Sequence, residues 1–395
     1  MIKWIPRGVC APEGFLAGGA ACGIKKEGEK DIALVLSEDD VCSAAAVFTT
    51  NRIIAHPVKV SKERIKDGYA RAIFINSGNA NCCTGEEGLK ATKQISSKLA
   101  KLVFDDEENI LLASTGVIGV HFPVTKVLNG LGELVENADT VGHTSAAMAI
   151  MTTDTFSKEA AVVVSTKKGK ITIGAMAKGA GMIHPDMATM LCVITTDADI
   201  SPQLLKGALK ESVAKTFNRI SVDGDMSTND SVFILANRRG VPIRSKTSAE
   251  YKHFISALDA VSMRLAEMIV RDGEGASRFI KVVVKGAYSQ DEAVKVAEKV
   301  ATSNLFKCSV FGGRLNWGRV AAAVGAASKK VEEKTLEIIA NGRVVFRRMK
   351  PLVSQAKPML LDKDLEIVID LHKGKYSYYM FTCDLSPDYV LINKE

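Results

Sequence analysis

No pair of cysteines is spaced as C-x-x-C, and no cysteines and histidines fall at the intervals of a zinc site. The eight cysteines are scattered at positions 10, 22, 42, 82, 83, 192, 308 and 383. That scatter argues against a disulfide framework or a metal centre and for buried free thiols in a reducing cytosol. Neither G-x-S-x-G, H-E-x-x-H, a P-loop nor a dinucleotide fingerprint occurs, which removes the usual hydrolase, metalloprotease and nucleotide readings. The start, MIKWIPRGVCAPEGF, has no apolar h-region, and no run approaches the length needed to cross a bilayer. A soluble, cytoplasmic protein is expected, with no membrane partner. A basic stripe with interleaved aromatics is also missing, so nucleic acid is not an expected partner.

What is present is ordinary globular composition: 395 residues, 47% apolar and 25% charged, long enough for two core-forming units or one large one. The formal charge of +7 is dispersed among acids and fits an anionic metabolite as well as any other anion. Lys167 to Lys170 and Lys329-Lys330 are short basic clusters of turns or solvated surface.

Short β-branched apolar runs recur at 32–36, 72–75, 160–164, 171–173, 193–196, 232–235, 280–284 and 366–370, bounded by Gly, Ser, Asn or Asp, and read as strands. Lys167 to Lys170 and His372 to Lys375 join paired runs and read as hairpin turns. Ser201-Pro202 opens a helix with its apolar face at Leu205, Ala208, Leu209, Val213 and Phe217. A second helix runs from Ser248, with apolar residues three and four apart, to Asp272-Gly273. The mixture predicts α+β or mixed α/β layering.

Gly-, Asn- and Thr-rich stretches sit beside these strands: 76–81, 114–119, 151–155, 178–181 and 223–230. Such loops expose amide N–H groups and hydroxyls, and suit an oxyanion or a carboxylate; turns use the same residues. Ser114-Thr115-Gly116 follows a predicted strand, so a Thr hydroxyl and the next amide could converge on one oxygen; the alternative is a self-capped β-turn. His184-Pro185-Asp186 matches the tripeptide of J-domain co-chaperones, but glycines precede it and a strand follows, where that motif needs two charged helices. His184 alone reads as structural more readily than as a base or ligand. Asp223, Asp225, Ser227 and Asn229 space their oxygens like a calcium loop, but Thr228 stands where Gly is needed and Ile234 where Glu is needed, so no metal is expected. Their expected role is to hold neighbouring loops rigid.

Taken together, the stretches Phe48-Thr-Thr-Asn51, Asn76 to Asn81, Ser114 to Gly119, Met151 to Thr155, Lys178 to Leu191, Val222 to Asp225, Ser227 to Asp230, Asp272 to Ala276, Asn316-Trp-Gly-Arg319 and Cys383-Asp-Leu385 resemble the ArgJ family, the ornithine acetyltransferases or glutamate N-acetyltransferases of arginine biosynthesis. The resemblance implies a precursor that cuts itself between Ala188 and Thr189. Residues 1–188 then form an α chain with the oxyanion hole and part of the substrate site. Residues 189–395 form a β chain with the N-terminal Thr189 nucleophile and further substrate contacts. Thr189 would carry acetyl from N2-acetylornithine to glutamate in a ping-pong cycle, its own α-amine (ordinary pKa near ~8) serving as base.

The resemblance further implies Thr115 and Gly116 as oxyanion hole and Thr155, Lys178, Thr189, Glu274 and Asn393 as substrate contacts. It implies no cofactor, with acetyl-CoA left open as an alternative donor, and a heterotetramer of two α and two β chains. The implied fold is stacked α/β/β/α layers of the DmpA/ArgJ-like type, shared with the β-peptidyl aminopeptidases. Family chains run past the matching Asn to Tyr-Arg-Thr or Tyr-Arg-Ser, whereas Asn393 is followed here by Lys394-Glu395. The chain is then either truncated or builds that side of the pocket differently. The rival readings are an aminopeptidase or amidase with the same self-processed nucleophile, and an inactive assembly protein.

Overall fold

The computed structural model describes residues 2–38, 41–184, 190–353 and 361–394. The chain divides into two compact units, one of Met1–Ala180, Asp186–Asn218 and Asp225–Ile269, the other of Gly181–Pro185, Arg219–Gly224 and Val270–Glu395.

In the first unit a four-stranded sheet runs in the order Phe15–Ala20, Ile32–Ser37, Ala72–Asn76, Ile110–Ser114. The strand Ile32–Ser37 shows why the apolar runs are continuous. Ala33 and Val35 enter one core cluster, while Ile32, Leu34 and Leu36 enter another, so both faces of the sheet are covered. The outer cluster is closed by the helices Gly85–Leu102, through Ala91, Ile95 and Leu99, and Val124–Glu136, through Val127, Leu131 and Leu134. These fall at helical spacing, one stripe per helix.

The inner cluster joins this sheet to a second of seven strands. Phe15, Val35 and Ile75 from the first meet Met176, Val193 and Phe233 from the second. The larger sheet runs Ile2–Trp4, Lys158–Thr166, Gly169–Lys178, Leu191–Thr196, Ser231–Ala236, Cys42–Phe48, Tyr69–Ala70. The helix Pro202–Lys215, whose buried residues belong to neither cluster, packs on Cys42–Phe48 and forms the fourth layer. The expected α/β/β/α stack is therefore present within this unit. Ser201 precedes the helix as anticipated, although its side chain makes no capping hydrogen bond.

The central strand Leu191–Thr196 pairs antiparallel with Gly169–Lys178 and parallel with Ser231–Ala236, which in turn pairs with Cys42–Phe48. Sequence on both sides of position 188 is thus interleaved in one sheet. A cut there leaves the two halves joined by strand pairing, and the compact units do not coincide with the halves 1–188 and 189–395.

The second unit holds a sheet ordered Ile220–Ser221, Tyr376–Cys383, Phe279–Ala287, Asp364–Asp370, Glu337–Ala340, Arg343–Arg347, Lys350–Pro351. The helices Gln290–Ala301, Asn304–Phe311 and Trp317–Ala327 bury Val296, Phe306 and Val324 against Val282, Ile338 and Ile367. Ser289, Ser303 and Asn316 cap their first turns through side-chain oxygens.

Every predicted strand run lies in a strand, and Lys167-Lys168 joins Lys158–Thr166 to its antiparallel neighbour Gly169–Lys178 as a hairpin. The second predicted hairpin is corrected. The runs flanking His372 to Lys375 do not pair with each other, because Phe279–Ala287 lies between them, parallel to one and antiparallel to the other. The link passes over the end of that middle strand, where Lys373 and Gly374 donate their amides to the Gly286 carbonyl. The thiols are all free, but Cys83 and Cys308 are exposed rather than buried.

Candidate functional site

The parallel strands Ala72–Asn76 and Ile110–Ser114 end in register, Asn76 opposite Ser114, and release two polar loops side by side. The Thr115 amide donates to the Asn76 carbonyl at 2.9 Å, and the Ser114 hydroxyl donates to the Asn76 side-chain oxygen at 2.5 Å. Buried Asn229 ties the loops together, its Nδ2 donating to the carbonyls of Ala80 at 2.7 Å and Ser114 at 2.8 Å. Thr49 reaches the Ser227 carbonyl at 2.8 Å. The expected bracing role of the 223–230 segment is thus seen in the polar side chain of Asn229.

Gly116 sits at φ 131°, and a Cβ there would lie 2.3 Å from the carbonyl carbon of Gly78. Both conformation and space restrict the position to glycine. Thr115, 5% exposed, is held beside it with its hydroxyl next to Lys178.

Lys178 ends the strand Gly169–Lys178 and is buried. Its ammonium donates to the Thr152 hydroxyl at 2.7 Å and approaches the Thr115 hydroxyl at 3.4 Å. Since an ammonium can only donate, Thr115 accepts, and its own proton remains available to an oxygen elsewhere. Asp154 lies 3.8 Å from Lys178, accepts from the Lys158 ammonium at 2.7 Å and from the Gly179 amide at 2.8 Å. Burial alone would raise the Asp154 carboxyl, but the Lys178 and Lys158 charges and the hydrogen bonds outweigh it and hold it well below the usual carboxylate range. Among the described residues, two buried ammoniums thus share this carboxylate, an arrangement that favours a further anion.

Of the sequence-predicted residues, Thr115, Gly116 and Lys178 come together in the first unit. Thr155 is exposed and next to Asp154 in the chain. Ala188 and Thr189 lie outside the described residues; the structure resumes at Met190, whose amide donates to the Asp230 carboxyl at 3.0 Å.

In the second unit Asn393, the residue ending the helix Pro387–Ile392, donates through Nδ2 to the Glu274 carboxylate at 2.7 Å. Gly181 lies against that carboxylate so closely that a Cβ would come within 2.3 Å of it. These two expected contacts are therefore neighbours. Asp223, a member of the calcium-like spacing, instead accepts the Met182 and Ile183 amides at 2.5 and 2.9 Å. His184 faces the Ser221 hydroxyl at 3.4 Å, and Ser221 in turn donates to the Ile183 carbonyl.

Sequence reasoning missed Asp154, Lys158, Thr152 and Asp230. Asp154 stands in the 151–155 stretch already singled out, and a lysine four residues on at the start of an apolar strand was the available signal. Asp230 closes the 223–230 stretch, also singled out, but its contact with Met190 comes from pairing across the sheet.

The ArgJ family's sequence model matches residues 16–395. The chain is 43% identical over 99% of its length, and 99% of the relative's, to the arginine biosynthesis bifunctional protein ArgJ of Symbiobacterium thermophilum. It is 42% identical to the glutamate N-acetyltransferase of Methanocaldococcus jannaschii, over 100% of this chain and 99% of that one. Among solved structures, the ornithine acetyltransferase of Mycobacterium tuberculosis complexed with ornithine is 36% identical, covering 48% of this chain and 98% of that one with a TM-score of 0.44.

Proposed function

Because the chain belongs to the ArgJ family, we propose that it is a glutamate N-acetyltransferase of arginine biosynthesis that moves acetyl from N2-acetylornithine to glutamate. Thr189 is the nucleophile, made available by self-cleavage. Its hydroxyl adds to the Ala188 carbonyl and the Ala188–Thr189 C–N bond breaks. The acyl group passes to oxygen and the freed nitrogen takes up the hydroxyl proton to become an amine. Water then hydrolyses the ester, releasing a chain that ends at residue 188.

In the transfer cycle the Thr189 α-amine accepts the hydroxyl proton as the oxygen attacks the acetyl carbonyl. The same proton passes to the departing ornithine nitrogen, leaving acetyl on Thr189. The amine of glutamate attacks this ester and gives up a proton to the Thr189 α-amine, which passes it to the Thr189 oxygen as N-acetylglutamate departs. Thr115 and Gly116 act on the oxyanion, and a preorganised pair of donors of this kind lowers such a barrier strongly. Lys178, backed by Asp154, receives a substrate carboxylate, and the family resemblance makes Glu274 and Asn393 further substrate contacts. Glutamate acetylation with acetyl-CoA as sole donor decides whether that thioester also acylates Thr189, and the working assembly is two α and two β chains.

The single observation carrying the reading is the placement of the Lys178 ammonium 3.4 Å from the Thr115 hydroxyl, beside a position only glycine can fill. Incubation with N-acetylornithine, with and without glutamate, tests it. Ornithine release should depend on glutamate and be matched by N-acetylglutamate; release indifferent to glutamate would mean a hydrolase instead.

A further inference from the structure

We propose that Asp230 is a positioning residue of the acyl-transfer site, holding the Met190 amide and so the peptide link to Thr189; this rests on the reading of Thr189 as nucleophile. Asp230 immediately precedes the strand Ser231–Ala236, and Met190 immediately precedes its parallel neighbour Leu191–Thr196, with Leu191 opposite Ser231. The Ser231 amide donates to the Met190 carbonyl at 3.1 Å, and the Met190 amide donates to Asp230 Oδ1 at 3.0 Å. Both backbone polar groups of Met190, its N–H and its carbonyl, are therefore held. The nitrogen so clamped is bonded directly to the carbonyl carbon of Thr189. Asp230 is itself fastened from behind, its carbonyl accepting the Thr49 amide at 3.0 Å.

Holding one amide needs one oxygen, yet the residue is an acid. Asp230 is 0% exposed, and its Oδ2 has no hydrogen-bond partner among the described residues. Burial pushes the carboxyl well above the usual range, against the opposing pull of the Met190 amide, the Lys178 charge and the Ser227 and Thr49 hydroxyls. Burial thus favours the neutral acid, in which Oδ1 accepts from Met190 and an O–H on the other oxygen can donate. A carbonyl or carboxylate oxygen is the chemistry that such a donor recognises.

An asparagine reproduces both functions: its carbonyl oxygen can accept the Met190 amide and its NH2 can donate where the acid O–H does. Alanine reproduces neither. The experiment uses the full chain as Asp230→Asn, Asp230→Ala and Thr189→Ala, following intact mass during maturation and the glutamate-dependent transfer rate afterwards. Asp230→Asn should be cut and should turn over within about three-fold of the unsubstituted chain, since a neutral hydrogen bond replaces a neutral hydrogen bond. Asp230→Ala should be cut at least about ten-fold more slowly and should lose kcat rather than gain KM, the signature of a misplaced reacting group. Should Asp230→Ala fail to fold, Asp230→Ser, with a hydroxyl one atom too short for the amide, replaces it with the same expected loss. A folded Asp230→Ala or Asp230→Ser chain that is cut and active like the parent would overturn the proposal while leaving Thr189 in its role. So would a folded Asp230→Asn chain as impaired as the alanine variant. A parent chain that is never cut, or a Thr189→Ala chain that is, would overturn the nucleophile reading and this proposal with it.

Discussion

Asp154→Asn is the most informative perturbation of the buried charge cluster. The side chains of Asp154 and Lys158 are both 0% exposed, with Nζ and Oδ1 2.7 Å apart. The substitution keeps the shape and the acceptor for the Gly179 amide but removes the charge that Lys158 and Lys178 share. Leaving a buried ammonium without its counter-charge costs about 3–5 kcal/mol, far above the ~1 kcal/mol of an exposed pair. At roughly 2–4 °C per kcal/mol for a unit of this size, the melting temperature should fall by roughly 10 °C. The assay is a double-mutant cycle: thermal and urea unfolding of the parent, Asp154→Asn, Lys158→Met and the double variant. The double variant should be less destabilised than the sum of the singles by about 2 kcal/mol or more. A loss under about 1 kcal/mol in Asp154→Asn, or strict additivity in the cycle, would refute the assignment of this pair as a buried, mutually dependent one.

Three further outcomes are expected. Gly116→Ala would force a Cβ into the Gly78 backbone at 2.3 Å from a φ of 131°. Its cost should exceed about 2 kcal/mol in a melt, with transfer activity lost in whatever remains folded. In pH-dependent urea unfolding, the two buried acids should act with opposite sign. The folded-state pKa of Asp154 is lowered, so its contribution is present above the unfolded value near ~3.9 and is lost as pH falls below it. That of Asp230 is raised, so its contribution is fully present below ~3.9 and is lost as pH rises toward the folded value. Asp154→Asn should therefore flatten the acid limb of the stability curve, and Asp230→Asn the limb above it. Asn393→Ala removes the 2.7 Å donor to Glu274; steady-state kinetics should show KM raised about ten-fold with kcat little changed, the value of one hydrogen bond to a charged group.

The layered architecture was legible where one physical rule decided it. Runs such as Ile32 to Leu36 are apolar on both faces because both faces are buried, and helices such as Pro202–Lys215 carry one apolar stripe. Strand order was less legible. His372 to Lys375 has the residues of a hairpin turn, but insertion of Phe279–Ala287 between its flanking strands is a long-range event that local turn chemistry does not encode. The candidate site divided along the same line. Thr115, Gly116 and Lys178 were visible as glycine- and hydroxyl-rich ends of predicted strands, and Glu274 and Asn393 through the family resemblance. Asp154 and Lys158 were not. A lysine opening an apolar strand reads as a solvated end until its partner four residues earlier is found buried with it. Asp230 could be recognised only once Ser231–Ala236 was seen beside Leu191–Thr196.

In the proposed mechanism Thr189 both cuts the chain and carries the acyl group. Intact mass under denaturing conditions tests it most directly, comparing the purified parent with Thr189→Ala. Two fragments are expected from the parent, divided between Ala188 and Thr189, and one whole, inactive chain from the variant. A parent that remains a single chain while transferring acetyl at its full rate would contradict it.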